Sequence, residues 1–183
     1  MMKGLQIIAP HSAREPCDND PKAPNQCRSA RQAATPIVRS FETYNITTPG
    51  EKTALLSLMA FETADFKYQR NVYPGVPGQG TRNMQMPDWN REYAASIPKI
   101  KDKFEPIKDD VDAVLDLLLT NDDYDFGSAA WFLTTVCKDD VRKELQKNND
   151  AGWEKYITEC IHTTVTEERK QYLQRARSVS DTL

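Results

Sequence analysis

Residues 48–85 read TPGEKTALLSLMAFETADFKYQRNVYPGVPGQGTRNMQ, and the fold turns on this stretch. It opens on a helix start. Thr48 can cap, Pro49 suits the first helical position, and Glu51 sits three residues after Thr48, the spacing of a capping box. The run that follows carries Leu55, Leu56, Leu58, Met59, Ala60 and Phe61 and few polar positions. A helix of that composition, running from 49 to about 66, is expected to be buried on most sides. Glu62 stands near its far end, in helical register with Leu55, Leu58 and Met59.

A carboxyl set among apolar side chains has its charged form disfavoured and keeps its proton, as a general acid for glycoside cleavage requires. Asp65, three positions on, is expected to share a helix face with Glu62 and to act with it. The plainer reading is a solvated glutamate paired with Lys67, Arg70 or Arg82, all near in sequence. The loop from Lys67 to Met86 then turns at two Pro-Gly pairs and holds Tyr68, Arg70, Asn71, Tyr73, Arg82, Asn83 and Gln85. Aromatic faces beside amide and guanidinium groups suit a sugar or polyol cleft, and so long a loop in a compact domain is usually functional.

The order of these pieces resembles the lysozyme superfamily, in particular the soluble lytic transglycosylases and goose-type lysozymes. Glu62-Thr63-x-x-Phe66 matches the Glu-Ser pair at a helix end, and Gly80-Thr81-Arg82-Asn83-Met84-Gln85-Met86-Pro87 matches the glycine-led segment ending in Met-Gln and Pro. Ser128-Ala129-Ala130-Trp131-Phe132 falls where that family has Ala-Ala-Tyr-Asn-Ala. The stretch is also similar to a group of small, mostly secreted fungal proteins, which tend to have Gly where this chain has Ala64. The resemblance implies an all-α, single lysozyme-like domain around the Glu62 helix, with Glu62 as general acid and Gln85 lining a sugar cleft.

At 183 residues the chain fits one domain with a real core, and a net charge of −3 gives no electrostatic case for nucleic acid. No stretch has the length of a membrane span. Leu5 to Ala9 is the only apolar run at the N-terminus, shorter than the core of a signal peptide. The chain is therefore expected to be secreted if a leader has been removed, and cytoplasmic otherwise. Four cysteines allow three pairings, of which Cys17–Cys27 with Cys137–Cys160 is favoured because each closes a local loop. No close Cys pair occurs and His11 and His162 are isolated, so neither a metal nor a cofactor is expected.

Along the chain, residues 1–27 read as an extended arm, since Pro10, Pro16, Pro21 and Pro24 exclude long helix. Residues 28–177 read as the helical domain and 178–183 as a frayed end. Within the domain, Ser29 to Tyr44 is helical, with Thr35-Pro36 as a possible internal start, and Asp88 is a natural cap for the next helix. A charged connector follows over 98–106, then an amphipathic helix from Asp109 to Leu119. The apolar helix FGSAAWFLTTVC is expected to pack on the central one, with Tyr124 and Asp125 facing the cleft. Asp139, Asp150 and Thr166 are the expected caps of the last three helices.

Two classes of function follow. The first is an enzyme cleaving an N-acetylhexosamine polymer such as peptidoglycan or chitin, with Glu62 as acid and Asp65, Asp88 or Asp125 as second carboxylate. The second is an intracellular fungal secondary-metabolism enzyme, a cyclase or isomerase in which Glu62 or Arg82 anchors a small apolar substrate. A non-catalytic glycan-binding protein is a third outcome of the same groove.

Overall fold

A computed structural model describes all 183 residues, and every regular element in it is helical. Ten α-helices follow one another: α1 (Met2–Ile8), α2 (Ala30–Thr43), α3 (Pro49–Glu62), α4 (Pro87–Ala95), α5 (Lys101–Phe104), α6 (Val111–Leu119), α7 (Asp122–Thr135), α8 (Asp139–Gln146), α9 (Asp150–Lys155) and α10 (Glu167–Ser178). No helix is long and apolar enough to cross a membrane. Both disulfides join the expected partners, Cys17 to Cys27 and Cys137 to Cys160.

The central element is α3, and the core forms around it. Thr48 caps it, and Thr48 and Glu51 bond each other reciprocally as a capping box. Leu55, Leu56, Leu58, Met59 and Ala60 are all buried, as the composition of the run requires. Gly50 lets the start of α3 touch the end of α8: a Cβ there would lie 2.1 Å from the Leu145 carbonyl oxygen. The main neighbour of α3 is α10, whereas α7 packs chiefly on α2. That differs from the expected pairing of α7 with the central helix.

Other differences have local causes. The first residues are not extended: α1 turns Leu5 and Ile8 inward, fully buried, because the prolines constrain the chain only from residue 10 onward. The C-terminus is not frayed either. A 3-10 turn at Ser180–Thr182 follows buried Val179, and the Met1 ammonium donates to the Thr182 carbonyl oxygen at 2.6 Å. Helix α2 runs unbroken through Pro36 from a Ser29–Gln32 capping box. Residues 98–107 contain short helical turns that bury Ile100 and Phe104. Asp88, Asp139 and Asp150 lie in the first turns after their caps, where a carboxylate favours the helix dipole, and Thr166 is the cap expected.

The polar side of α3 is held by one charge. Glu51 has no exposed side-chain surface and accepts from Arg142 Nε at 2.7 Å, Gln146 Nε2 at 3.1 Å, and Thr48 Oγ1 at 2.8 Å and N at 3.2 Å. Burial raises its pKa, but the bonds from Arg142, Thr48 and Gln146 outweigh that and leave it below the ordinary value of 4.5. A carboxylate whose pKa is lowered on folding stabilises the fold above its unfolded pKa and loses that contribution as pH falls through the folded value. Glu51→Gln is therefore expected to destabilise the protein by about 2 kcal/mol at neutral pH. In urea melts repeated from pH 7 downward, the gap between variant and parent closes below about pH 4.

Candidate functional site

The site is built where α3 stops. Glu62 is its last residue, and the chain then reverses hand: Ala64, Asp65 and Phe66 have φ of 49°, 62° and 65°. Three successive residues in the left-handed region cost about 1–2 kcal/mol each, so surrounding contacts must hold them. Thr63 Oγ1 donates to the Met59 carbonyl at 2.6 Å and accepts from the Phe66 amide at 3.0 Å. The Asp65 amide reaches back to the Ala60 carbonyl at 2.8 Å, and the amides of Lys67 and Tyr68 both bond to the Thr63 carbonyl.

This reversal separates the two carboxylates expected to work together. Asp65 is buried on another side, accepting from Tyr172 Oη at 2.8 Å and from the His11 amide at 3.0 Å. The His11 ring lies beside it, Nδ1 at 2.9 Å. Asp65 thus fastens the N-terminal segment and α10 to the end of α3, and it does not pair with Glu62.

Arg82 and Asp125 are structural too. Both side chains are fully buried, with Arg82 Nε 2.7 Å from Asp125 Oδ2. The Arg82 guanidinium also donates to the carbonyls of Phe66 (2.8 Å), Tyr68 (3.0 Å) and Gln26 (2.9 Å), and it lies over the Phe126 ring. Burial pushes the Asp125 carboxyl above its usual range in spite of Arg82. Neither group faces a cleft. Tyr124 lines a different hollow, of about 850 Å³, together with Tyr44, Tyr93 and Trp131. Asp88 is exposed and paired with Arg91.

Glu62 does face a hollow. A cavity of about 410 Å³ is lined by Glu62 and Arg169, by the apolar Met84, Met86, Trp89, Phe132 and Ile161, and by Gln79, His162 and Thr163. Asn83 and Gln85 line it as well, tied into a chain of bonds: Asn83 donates to Gln85, and Gln85 to Asn90 at 2.8 Å. A second hollow of about 340 Å³ lies across Gln79 and Met84, and Glu62 borders both. Tyr68, Arg70, Asn71 and Tyr73 line that second hollow. Tyr68 donates to Asp20 at 2.7 Å, Arg70 pairs with Asp116, and Asn71 bonds Gln79.

The carboxylate is not alone among apolar groups. Arg169 Nη2 lies 2.7 Å from Glu62 Oε1, and the guanidinium covers the Phe61 ring at 4.1 Å. Arg169 belongs to the first turn of α10, whose Thr166 cap accepts from the Arg169 amide. Beside the pair, a single π-helical turn at Tyr156–Cys160 brings in Tyr156, a local geometry common at functional sites. Burial, with the Glu62 charge adding to it, raises the Tyr156 phenol far above its ordinary value. The Tyr156 hydroxyl and Arg169 Nη1 are buried and have no hydrogen-bond partner. Nothing local in the sequence marks Arg169, which reaches Glu62 only through the packing of α10 on α3. No group of three His, Cys, Asp or Glu side chains converges anywhere in the chain.

No family model matches the chain, and no solved structure matches it. A 154-residue stretch, 80% of the chain, is 47% identical to a bifunctional dioxygenase (DOX)-epoxy alcohol synthase (EAS) of Fusarium oxysporum (strain Fo5176). The matched part is 12% of that relative's length.

The left-handed turn carries its own test. Ala64 is exposed at φ 49°, so glycine there removes strain and loses no packing. Ala64→Gly is expected to raise the urea midpoint by the equivalent of about 0.5–1 kcal/mol, after the entropy that glycine adds to the unfolded chain. A lowered midpoint contradicts the strain assigned to this turn.

Proposed function

We propose that the chain handles a small, largely apolar molecule in the hollow beside Glu62, as an enzymatic or substrate-holding part of fungal-type secondary metabolism. The observation that carries this reading is the make-up of the cavity. Met84, Met86, Trp89, Phe132 and Ile161 give it apolar lining, and its one carboxylate and one guanidinium form the ion pair Glu62–Arg169, alongside Gln79, Asn83, Gln85, His162 and Thr163. Cavities of about 300–1,000 Å³ with apolar walls and few polar groups suit small organic ligands, and at about 410 Å³ this one lies at the lower end. The similarity to part of a dioxygenase-epoxy alcohol synthase supports the same class, since that relative is named for oxygen chemistry and an alcohol product.

In this reading Glu62 is an acceptor and Arg169 a donor, fixed against each other and against the Phe61 face. They orient a bound molecule while Trp89 and Phe132, packed edge to face at 5.4 Å, exclude water from its apolar part. Charge that develops on a ligand oxygen during cyclisation or isomerisation would meet the guanidinium without reorganisation.

Glycan cleavage, the function the lysozyme resemblance implies, has one specific observation in its favour. The two hollows meet at Glu62, and the second is walled by Tyr68, Arg70, Asn71 and Tyr73, groups suited to sugars. Against it, an acid that protonates a glycosidic oxygen must first leave Arg169, and Asp65 and Asp125 are occupied elsewhere.

Tryptophan fluorescence separates the two readings. Trp89 lines the cavity and is 39% exposed, whereas Trp131 and Trp153 are buried. Eight- to twelve-carbon oxygenated aliphatics are expected to shift the emission at micromolar concentrations, on the order of −8 kcal/mol of binding free energy, and Trp89→Phe abolishes the shift. Chitotetraose or a muropeptide shifting it instead, with release of reducing ends that Glu62→Gln stops, overturns the small-molecule reading.

A further inference from the structure

We propose that the Glu62–Arg169 pair recognises a hydroxyl group on the ligand, so that the molecule held in this cavity is an alcohol and neither an acid nor an unsubstituted hydrocarbon. This inference rests on the small-molecule reading of the same cavity and narrows it. The pair leaves capacity of both kinds. Arg169 Nη2 approaches Glu62 at Oε1, and the side chain is one-fifth exposed and borders the hollow, which leaves Oε2 acceptor capacity for a ligand. On the donor side, Arg169 lines the hollow and its Nη1 is without an acceptor. Natural proteins rarely leave such groups unsatisfied, and each exception calls for an explanation.

A hydroxyl is the one common group that answers both needs at a single atom, donating its proton and accepting through its lone pairs. In the arrangement inferred, the ligand O–H donates to Glu62, and its oxygen accepts from Arg169. A carboxylate would satisfy the donors but would set a second negative charge against Glu62. A hydrocarbon would bury Glu62 and supply nothing to bond it, which costs far more than its packing returns. The rest of the ligand finds apolar neighbours in Met84 and Met86, which adapt to irregular shapes, and in the Trp89–Phe132 pair. Tyr73, Met86 and Trp89 are among the few large apolar side chains left exposed, and all three rim the two hollows that meet at Glu62. An apolar molecule therefore meets matching surface before it enters.

The test compares three probes of equal chain length, 1-octanol, octyl methyl ether and octanoate, by titration against tryptophan emission of the full chain. 1-Octanol is expected to bind at least about tenfold more tightly than either of the others, the factor associated with a hydrogen bond to a charged acceptor. Glu62→Gln is expected to remove most of that preference and leave the ether's affinity within about twofold, since the apolar wall is untouched. Equal binding of ether and alcohol overturns the hydroxyl inference and leaves the apolar cavity standing. Tightest binding of octanoate overturns it as well, because Arg169 then acts alone. A preference for octanol that survives Glu62→Gln places the hydroxyl elsewhere and has the same consequence. Failure of all three probes to bind removes the small-molecule reading with it.

Discussion

A guanidinium with no exposure to water must find acceptors for five N–H groups, and Arg82 finds them in three different parts of the chain. Nε reaches Asp125 on α7, Nη1 the carbonyls of Phe66 and Tyr68, and Nη2 the Gln26 carbonyl and Gln69 Oε1. The carbonyls it gathers belong to the segment that leaves α3 in the left-handed conformation and to the N-terminal strand of chain before α2. An isolated buried charge is untenable. This one is tolerable because its partners surround it, and the guanidinium fork in turn ties them to one another. The strained turn, the position of α7 and the closure of the N-terminal segment are one arrangement with a common centre.

The site depends on that arrangement at one remove. Helix α3 would carry Glu62 to the same place whatever followed it, but the direction of the chain beyond Thr63 decides what surrounds the carboxylate. The reversal sends Asp65 toward His11 and Tyr172, and this ties α10 against the end of α3. With α10 in place, Arg169 stands over Phe61 and meets Glu62. The returning loop, pinned by the Thr81–Asn83–Gln85–Asn90 bonds, lays Met84 and Met86 across from them. A cavity with one ion pair and an apolar wall is the outcome.

Much of this was legible in residue order. The capping box at Thr48, the burial of Leu55 to Ala60, the two disulfides and the placement of Glu62 at a helix end all follow from local rules, and the structure contains each. The failures share a cause. Asp65 was placed beside Glu62 by helical spacing, and the helix ended first; no glycine marks the change of hand, because Thr63 Oγ1 and Arg82 hold it instead. Arg82, between Thr81 and Asn83 in a Pro-Gly loop, has every local mark of an exposed residue. Its burial answers a need of distant carbonyls that no spacing reveals. Arg169 lay more than a hundred positions from Glu62, and only packing brings the two together.

Hydrogen exchange on Arg82→Lys tests the central dependence most directly. Lysine keeps the charge but offers one point of donation where the guanidinium offers a fork, so it cannot bond Asp125, Phe66, Tyr68 and Gln26 together. The amides of Asp65, Lys67 and Tyr68 are bonded within the left-handed turn in the parent. In the folded variant they are expected to exchange at least about tenfold faster, while amides of α8 and α9, which Arg82 does not touch, keep their protection. Unchanged protection across Asp65 to Tyr68 would contradict the account, since the turn that shapes the surroundings of Glu62 would then stand without the buried guanidinium at its centre.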